Sequence, residues 1–458
     1  MSTNQSRRAF LKRAGVVSLA AHGATPFVMN LAAMGEAAAA TAADYKALVC
    51  IFMFGGNDYG NTVIPYDQAN YDIYARLRGS ISIARPTLAN TLLNPAAALQ
   101  GGRQYALHPD LLPLVPVFDA GRLAVMLNVG TLVEPTTKDQ YRARSVRLPP
   151  KLFSHNDQQS FWQASNPEGA TSGWGGRIGD LLQSGNGNAT LTCINATSSA
   201  VFLAGRQAVQ YSVSTGGPIQ LSANSTLYGS ANASAALKQL MTGTSSNLFQ
   251  NEHGKVSKRA IDTAAQVVSA LSGAPALTGN FQTGNSLADQ LRVVARLISV
   301  SQELGAKRQV FFVSIGGFDN HDNLLAQHAP LMQRVSAAMR AFYDTTVALG
   351  VADKVTAFTA SDFGRTLTVN ATGSDHGWGG MHFVKGGAVN GRAFYGTPPV
   401  VADNGPDDVG QGRLLPSTSV DQYAATLANW FGVSGTDMGT VLPNIGNYSP
   451  SSRNLGFV

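Results

Sequence analysis

The sequence predicts an α/β fold, a mostly parallel sheet with helices on both faces. Three features predict it. Short unbroken apolar runs recur along the chain, these runs end in turns rich in Gly, Asn and Asp, and amphipathic stretches of helical period separate them. With 458 residues of which 44% are hydrophobic, the chain can bury a sizeable core. Charged residues are only 13%, about half the usual share of roughly 25%. That excludes a coiled coil and a charge-driven disordered chain.

Ala47 to Phe54 is the first apolar run and ends at Gly55-Gly56-Asn57-Asp58, as a strand buried on both faces would. Leu111 to Asp119 is expected to be a short helix closed by Gly121, against the opposition of Pro113 and Pro116. The strand Leu123 to Val129 follows. Leu287 to Leu304 is an amphipathic helix stopped by Gly305, and Val310 to Ile315 is a strand ending at Gly316-Gly317. Leu324 to Leu349 is a long helix stopped by Gly350. Val355 to Thr359 is the next strand, ending at Ser361-Asp362-Phe363-Gly364, and Asp421 to Phe431 is a late helix. Residues 185–285 are rich in Ser, Asn, Gly and Thr, with weak strands at Leu191 to Ala196 and Val209 to Val213 and a helix at Val256 to Leu271. They are expected to form an insertion or cap on a single domain spanning 44–458.

The N-terminus carries Ser6-Arg7-Arg8-Ala9-Phe10-Leu11-Lys12, which matches the twin-arginine export signal. A mild Ala/Gly/Val stretch and the small-residue run Ala37 to Ala43 complete a signal-peptide layout over residues 1–43. The chain is therefore expected to be exported by the twin-arginine translocase to the periplasm or beyond. Its leader has no run long and apolar enough to span a membrane, so no transmembrane helix is expected in the mature protein. The net charge is +6, and Arg7, Arg8, Lys12 and Arg13 against Glu36 put half of it in the leader. The remaining excess shows no basic cluster and gives no electrostatic footprint for nucleic acid. Cys50 and Cys193 are too few to frame a metal or haem site by themselves, and two buried thiols are expected over one disulfide.

Ionisable residues gather at the predicted carboxyl ends of strands: Asp58, then Asp319-Asn320-His321-Asp322, then Asp362 with Arg365, then Asp375-His376 and His382. Ligands of open α/β sheets bind outside those ends, so the segments should meet in one crevice. Clustered carboxylates and imidazoles call for a cation, here Zn²⁺, Mn²⁺ or Ca²⁺. Polar turns and caps are the structural alternative. There is no Gly-x-Ser-x-Gly elbow, phosphate-binding loop, His-Glu-x-x-His or dinucleotide fingerprint. Lipase-like, nucleotide-hydrolysing and nicotinamide-dependent functions all lose ground.

Phe54-Gly55-Gly56-Asn57-Asp58 with Asn61-Thr62-Val63, Leu107-His108-Pro109, Gly121-Arg122-Leu123-Ala124-Val125, Gly316 to His321, Ser361 to Thr366, and Asp375 to Gly380 form an ordered set of motifs. Together they resemble the twin-arginine-exported bacterial family of unknown function 1501 (DUF1501). The resemblance spans about residues 45–435. It implies an alkaline phosphatase/sulfatase-like fold with one or two divalent metal ions and a small anionic ester as substrate. On that pattern Asp58, Asp319, His321, Asp362 and His376 are metal ligands, with His328 and His382 as alternates. Phe363 stands where the superfamily has His, which would weaken a second metal site. Ser154 is the expected nucleophile, with Thr62 as second candidate. The metal would activate its hydroxyl, and the alternative is that Ser154-His155 caps the following helix. Arg365 is the expected substrate-binding residue, and Arg177 could share an anionic clamp. The implied function is an exported metal-dependent hydrolase of phosphate or sulfate esters. A non-catalytic binding or assembly protein on the same fold is the alternative, and a redox enzyme rests only on the export route.

Overall fold

The computed structural model describes residues 45–197, 200–222 and 226–458. The export signal and its cleavage region lie outside the described residues. A ten-stranded mixed sheet runs through the molecule in the order β11-β4-β10-β9-β1-β8-β5-β6-β7, with β12 beside β4. In chain order its strands are β1 (Lys46–Met53), β4 (Leu123–Gly130), β5 (Cys193–Asn195), β6 (Tyr211–Ser214), β7 (Gly217–Pro218), β8 (Arg308–Ile315), β9 (Val355–Ser361), β10 (Gly380–Gly386), β11 (Ala393–Tyr395) and β12 (Thr418–Ser419). A separate hairpin pairs β2 (Val63–Pro65) with β3 (Tyr105–Leu107). β1 lies parallel to both β8 and β9, while β10 runs antiparallel between β9 and β4.

The helices that matter to the site are α1 (Gln68–Arg78), α2 (His155–Ala164), α3 (Trp174–Leu182), α4 (Ala231–Thr242), α5 (Leu248–Ser272), α6 (Ser286–Ser299), α7 (Leu324–Ala348) and α8 (Val420–Phe431). Strand alternation feeds two cores, one on each face of the sheet. Val49, Ile51 and Met53 of β1 pack on one side with Leu291 and Val294 of α6 and Val335 and Phe342 of α7. Leu48, Cys50 and Phe52 pack on the other with Trp162, Trp174 and the α8 residues Tyr423 and Leu427. This is why the central strands read as unbroken apolar runs. The mostly parallel α/β sheet with helices on both faces is as expected.

Several elements differ from expectation. Pro113 and Pro116 break the expected helix over Leu111 to Asp119 into a 3₁₀ stretch, Pro109–Leu114, followed by a short helix, Val115–Asp119. The helix expected at Val256 starts earlier, at Leu248, where Asn247 accepts from the amides of Phe249 and Gln250. Within residues 185–285, β5, β6 and β7 extend one edge of the sheet, so this segment builds part of the sheet as well as covering it. Cys50 and Cys193 are both buried free thiols, and burial pushes the Cys193 thiol up to about 12. No helix among the described residues is long and apolar enough to cross a membrane.

Candidate metal centre

The carboxyl ends of β1, β8 and β9 open on one side of the sheet, and three chain segments meet there. Gly55 follows β1 at φ 114°, and a Cβ there would lie 2.5 Å from the amide nitrogen of Asp319. Only glycine permits that approach. The Gly55 amide donates to Asp362 Oδ2 at 3.2 Å, and its carbonyl accepts from Arg365 Nη1 at 3.0 Å. The turns after β1, β8 and β9 are thereby locked together.

His155 opens α2 and leans on β9's end. Its Nδ1 lies 2.6 Å from Asp362 Oδ2, which also accepts from Gln159 Nε2 at 2.7 Å one helical turn later. The carboxylate fixes Nδ1 as the protonated ring nitrogen and leaves Nε2 with its lone pair. That Nε2 is buried, has no hydrogen-bond partner, and lies 3.4 Å from Asp319 Oδ2. The hydrogen bond to Asp362 raises the His155 pKa, burial opposes it, and the charges of Asp362 and Asp319 add to the rise.

His376 approaches from the loop between β9 and β10. Its Nδ1 lies 2.8 Å from the Phe153 carbonyl, so Nδ1–H donates and Nε2 faces the centre, 3.3 Å from Asp319 Oδ1 and 3.0 Å from His321 Nε2. Burial lowers the His376 pKa, partly offset by the Phe153 hydrogen bond. Phe153 itself stands at φ 72°, a strained conformation for an aromatic residue beside the site. Asp319 sits in the middle. Burial would raise its pKa, but the hydrogen bond and charge of Arg365, with His155 and His321, hold it below the ordinary carboxylate value.

His155, Asp319 and His376 each offer one ligand atom, and these atoms lie within 4.8 Å of one another. Tetrahedral ligands on bonds of about 2.1 Å stand about 3.4 Å apart. His155 Nε2 stands 3.4 Å from Asp319 Oδ2 and His376 Nε2 stands 3.3 Å from Asp319 Oδ1, so each imidazole is at ligand spacing from a different oxygen of the one carboxylate. Two imidazoles and one carboxylate, each with its far side tied down, are a donor set suited to a divalent ion with open positions left over. The residues present therefore fit the implied metal. His321 borders the same spot, with Nε2 2.9 Å from Asp319 Oδ1 and Nδ1 3.2 Å from Asp375 Oδ1.

Of the residues singled out in the sequence, Asp319, His321 and His376 come together, and Asp362 stands one step behind, through His155. Asp58 does not join them. It forms a fully buried ion pair with Arg78, whose Nη1 also donates to the Thr366 carbonyl at 3.0 Å. The expectation of Asp58 as a ligand is corrected: the chain turns into the one-turn helix Tyr59–Thr62, and the carboxylate faces α1. Thr62 is likewise buried, its hydroxyl donating to the Asp58 carbonyl at 2.7 Å. His328 bonds Asn57 Oδ1 through Nε2 at 3.0 Å, with burial pulling its pKa down to about 3. His382 packs against Trp162 in the opposite core. Arg177 is spent on the carbonyls of Val441, Ser172 and Ala164.

Arg365 also departs from its expected role. It is fully buried, and its donors go to the Ser374 carbonyl, the Gly55 carbonyl and Asp319 Oδ1 at 2.8 Å. It positions Asp319 and has no donor aimed outward for a substrate. Ser154 Oγ donates to Asp157 Oδ2 at 3.0 Å. Phe363 stacks its ring near those of His155 and His376, at 4.9 and 4.8 Å, and forms an apolar wall of the centre. Sequence reasoning missed His155 and Gln159. The signal available was their four-residue spacing, which places both on one helix face.

Fold and site together define a mixed α/β protein with a candidate His-Asp-His metal centre at the carboxyl edge of its sheet. The family described as "Protein of unknown function (DUF1501)" matches residues 45–442, and the chain belongs to that family. No curated protein matches the chain. Among solved structures, it is similar to Ps i-CgsB in complex with k-i-k-neocarrahexaose, at 11% identity over 89% of this chain and 77% of that one, with a TM-score of 0.35. The lipoteichoic acid synthase LtaP from Listeria monocytogenes matches at 9% identity over 87% and 74%, TM-score 0.34. The PsFucS1 sulfatase from Pseudoalteromonas sp. matches at 10% over 90% and 72%, TM-score 0.30. Likenesses this distant say nothing of what the chain acts on.

Proposed function

We propose that the protein is an exported metal-dependent hydrolase of phosphate or sulfate esters, with His155, Asp319 and His376 holding a divalent ion. One observation supports this most: a buried His155 Nε2 without any hydrogen-bond partner, aimed at Asp319 while Asp362 grips the other ring nitrogen. A histidine so arranged has half of a ligand's environment already built. Two imidazole donors favour Zn²⁺ or Mn²⁺ over Ca²⁺, which prefers oxygen. Such an ion supplies charge stabilisation of the transferred group and lowers the pKa of an attacking hydroxyl. The twin-arginine motif from Ser6 to Lys12 supports export to the periplasm or beyond.

The chain's own residues then divide the work. Asp362 and the Phe153 carbonyl orient the two imidazoles, and Arg365 holds the Asp319 carboxylate. Ser154, next to His155, is the proposed nucleophile. Its Oγ attacks the phosphorus or sulfur as its proton passes to Asp157 Oδ2, and the bond to the ester oxygen breaks, that oxygen leaving as the alcohol with a proton taken from water. The hydroxide so formed attacks the phosphorus or sulfur in turn, the acid is released, and Ser154 Oγ takes its proton back from Asp157. The test is to load the mature protein with Zn²⁺ and Mn²⁺, measure bound metal, and assay aryl phosphates, phosphodiesters and aryl sulfates. Bound ion and turnover of one ester class are expected, both lost in His155→Ala. Absence of bound ion under every loading overturns the proposal. Bound ion with no turnover identifies the non-catalytic binding protein instead.

A further inference from the structure

Segment 138–151 corrects the expectation that the chain beyond its leader has no basic cluster. It holds Lys138, Arg142, Arg144, Arg147 and Lys151 against Asp139 alone. Arg147 is engaged with Glu134 at 3.3 Å, Lys151 lies 3.7 Å from Asp157, and Lys138 donates to the carbonyls of Asn404 and Gly405. Arg142 and Arg144 have no ion-pair partner among the described residues and are exposed. Both line a surface cavity of about 630 Å³, together with Lys151, Tyr141, Leu148 and Phe153. That volume lies within the range of small-molecule sites, roughly 300–1,000 Å³.

The cavity adjoins the metal centre through Phe153. This residue lines the cavity, its carbonyl accepts from His376 Nδ1, and His155 follows two residues later. Arg413 bridges the two, with its guanidinium 4.7 Å from the Phe153 ring and its Nε donating to the His376 carbonyl at 2.8 Å. The wall is also anchored. Tyr141, Leu148, Leu152 and Phe153 pack on a buried cluster around Trp378, whose Nε1 donates to the Thr131 carbonyl at 2.7 Å. Two outward guanidiniums on an anchored, partly apolar wall make a recess for an anionic group carried on a small organic body.

From this we infer that the substrate is a polyanionic ester, with one acid group at the metal centre and a second held in this cavity by Arg142 and Arg144. The inference deepens the proposed function and rests on it for the first group only. A matched pair of probes tests it: fructose 1,6-bisphosphate against fructose 6-phosphate. Titration calorimetry on chelator-treated, metal-free protein isolates the cavity from the ion. Without metal either probe can seat one phosphate in the cavity, so both should bind. Arg142→Gln/Arg144→Gln should weaken both about tenfold, the effect of roughly one charge-assisted contact. In Zn²⁺-loaded Ser154→Ala protein, where both subsites are present, the bisphosphate should bind more tightly than the monophosphate. The double arginine variant should leave hydrolysis of a small aryl monoester unchanged in the metal-loaded protein. No phosphate binding to the metal-free protein, binding there indifferent to the double substitution, or equal binding of the two probes to the metal-loaded protein overturns the inference. Failure of the metal-loaded protein to hydrolyse any ester would sink the hydrolase reading alone, because neither calorimetric comparison depends on turnover.

Discussion

The centre works through pairs in which one residue presents an atom and another aims it. His155 is aimed by Asp362, His376 by the Phe153 carbonyl, and Asp319 by Arg365. Removing a presenting residue and removing an aiming residue should therefore differ in degree. Asp319→Ala deletes the carboxylate common to both imidazoles and should abolish metal binding. Asp362→Ala leaves the His155 ring in place but frees its Nδ1, and loss of such an outer partner weakens metal affinity about 10- to 100-fold. Competition with a chromophoric chelator measures both, with thermal unfolding to show that each variant is folded. Equal losses from the two substitutions would make Asp362 a ligand in its own right and would require His155 to turn.

On the scale of elements, β10 lies against α7 through a buried cation. Lys385 is 2% exposed, its Nζ donates to the Met339 carbonyl, and it lies over the rings of Phe342 and Tyr343 at 5.3 and 5.5 Å. Burial pulls its pKa down from 10.5 to about 7, with Asp344 opposing the fall and Arg340 adding to it. A base whose folded pKa is depressed costs stability wherever the unfolded chain keeps the proton. That cost is complete below about pH 7 and fades as the pH rises toward 10.5. Lys385→Met should therefore raise the unfolding temperature by a few degrees at pH 6 and lose that advantage as the pH approaches 10. Parallel pH curves for the two proteins would show that the ammonium is already relieved in the fold.

Across the whole molecule, what the sequence reveals depends on where the controlling interactions lie. The central parallel strands are legible because both faces of each are buried, which leaves an apolar run with a glycine turn at its end. β10 is not, since His382 and Lys385 interrupt its apolar pattern, and β2, β3 and β12 are too short to show a period. Asp319 and His376 are legible for the same reason as the strands that lead to them. His155 is hidden because the connection from Thr131 to Ser154, which includes the short helix Lys138–Ala143, carries it to β9 by tertiary packing alone. Asp58 misleads in the opposite sense, since its position at a strand end does not say which way its side chain turns. Its fully buried partner Arg78 joins α1 to the turn after β1 and, through Thr366, to the loop after β9. Asp58→Asn leaves that guanidinium uncompensated in the interior, which costs about 3–5 kcal/mol. Chemical denaturation should record the loss while bound metal stays at the wild-type level. Arg78→Met added to Asp58→Asn should recover much of the stability, because a matched apolar replacement removes the stranded charge. A variant that keeps its stability and loses its metal would instead return Asp58 to the ligand set and break the separation between scaffold and centre.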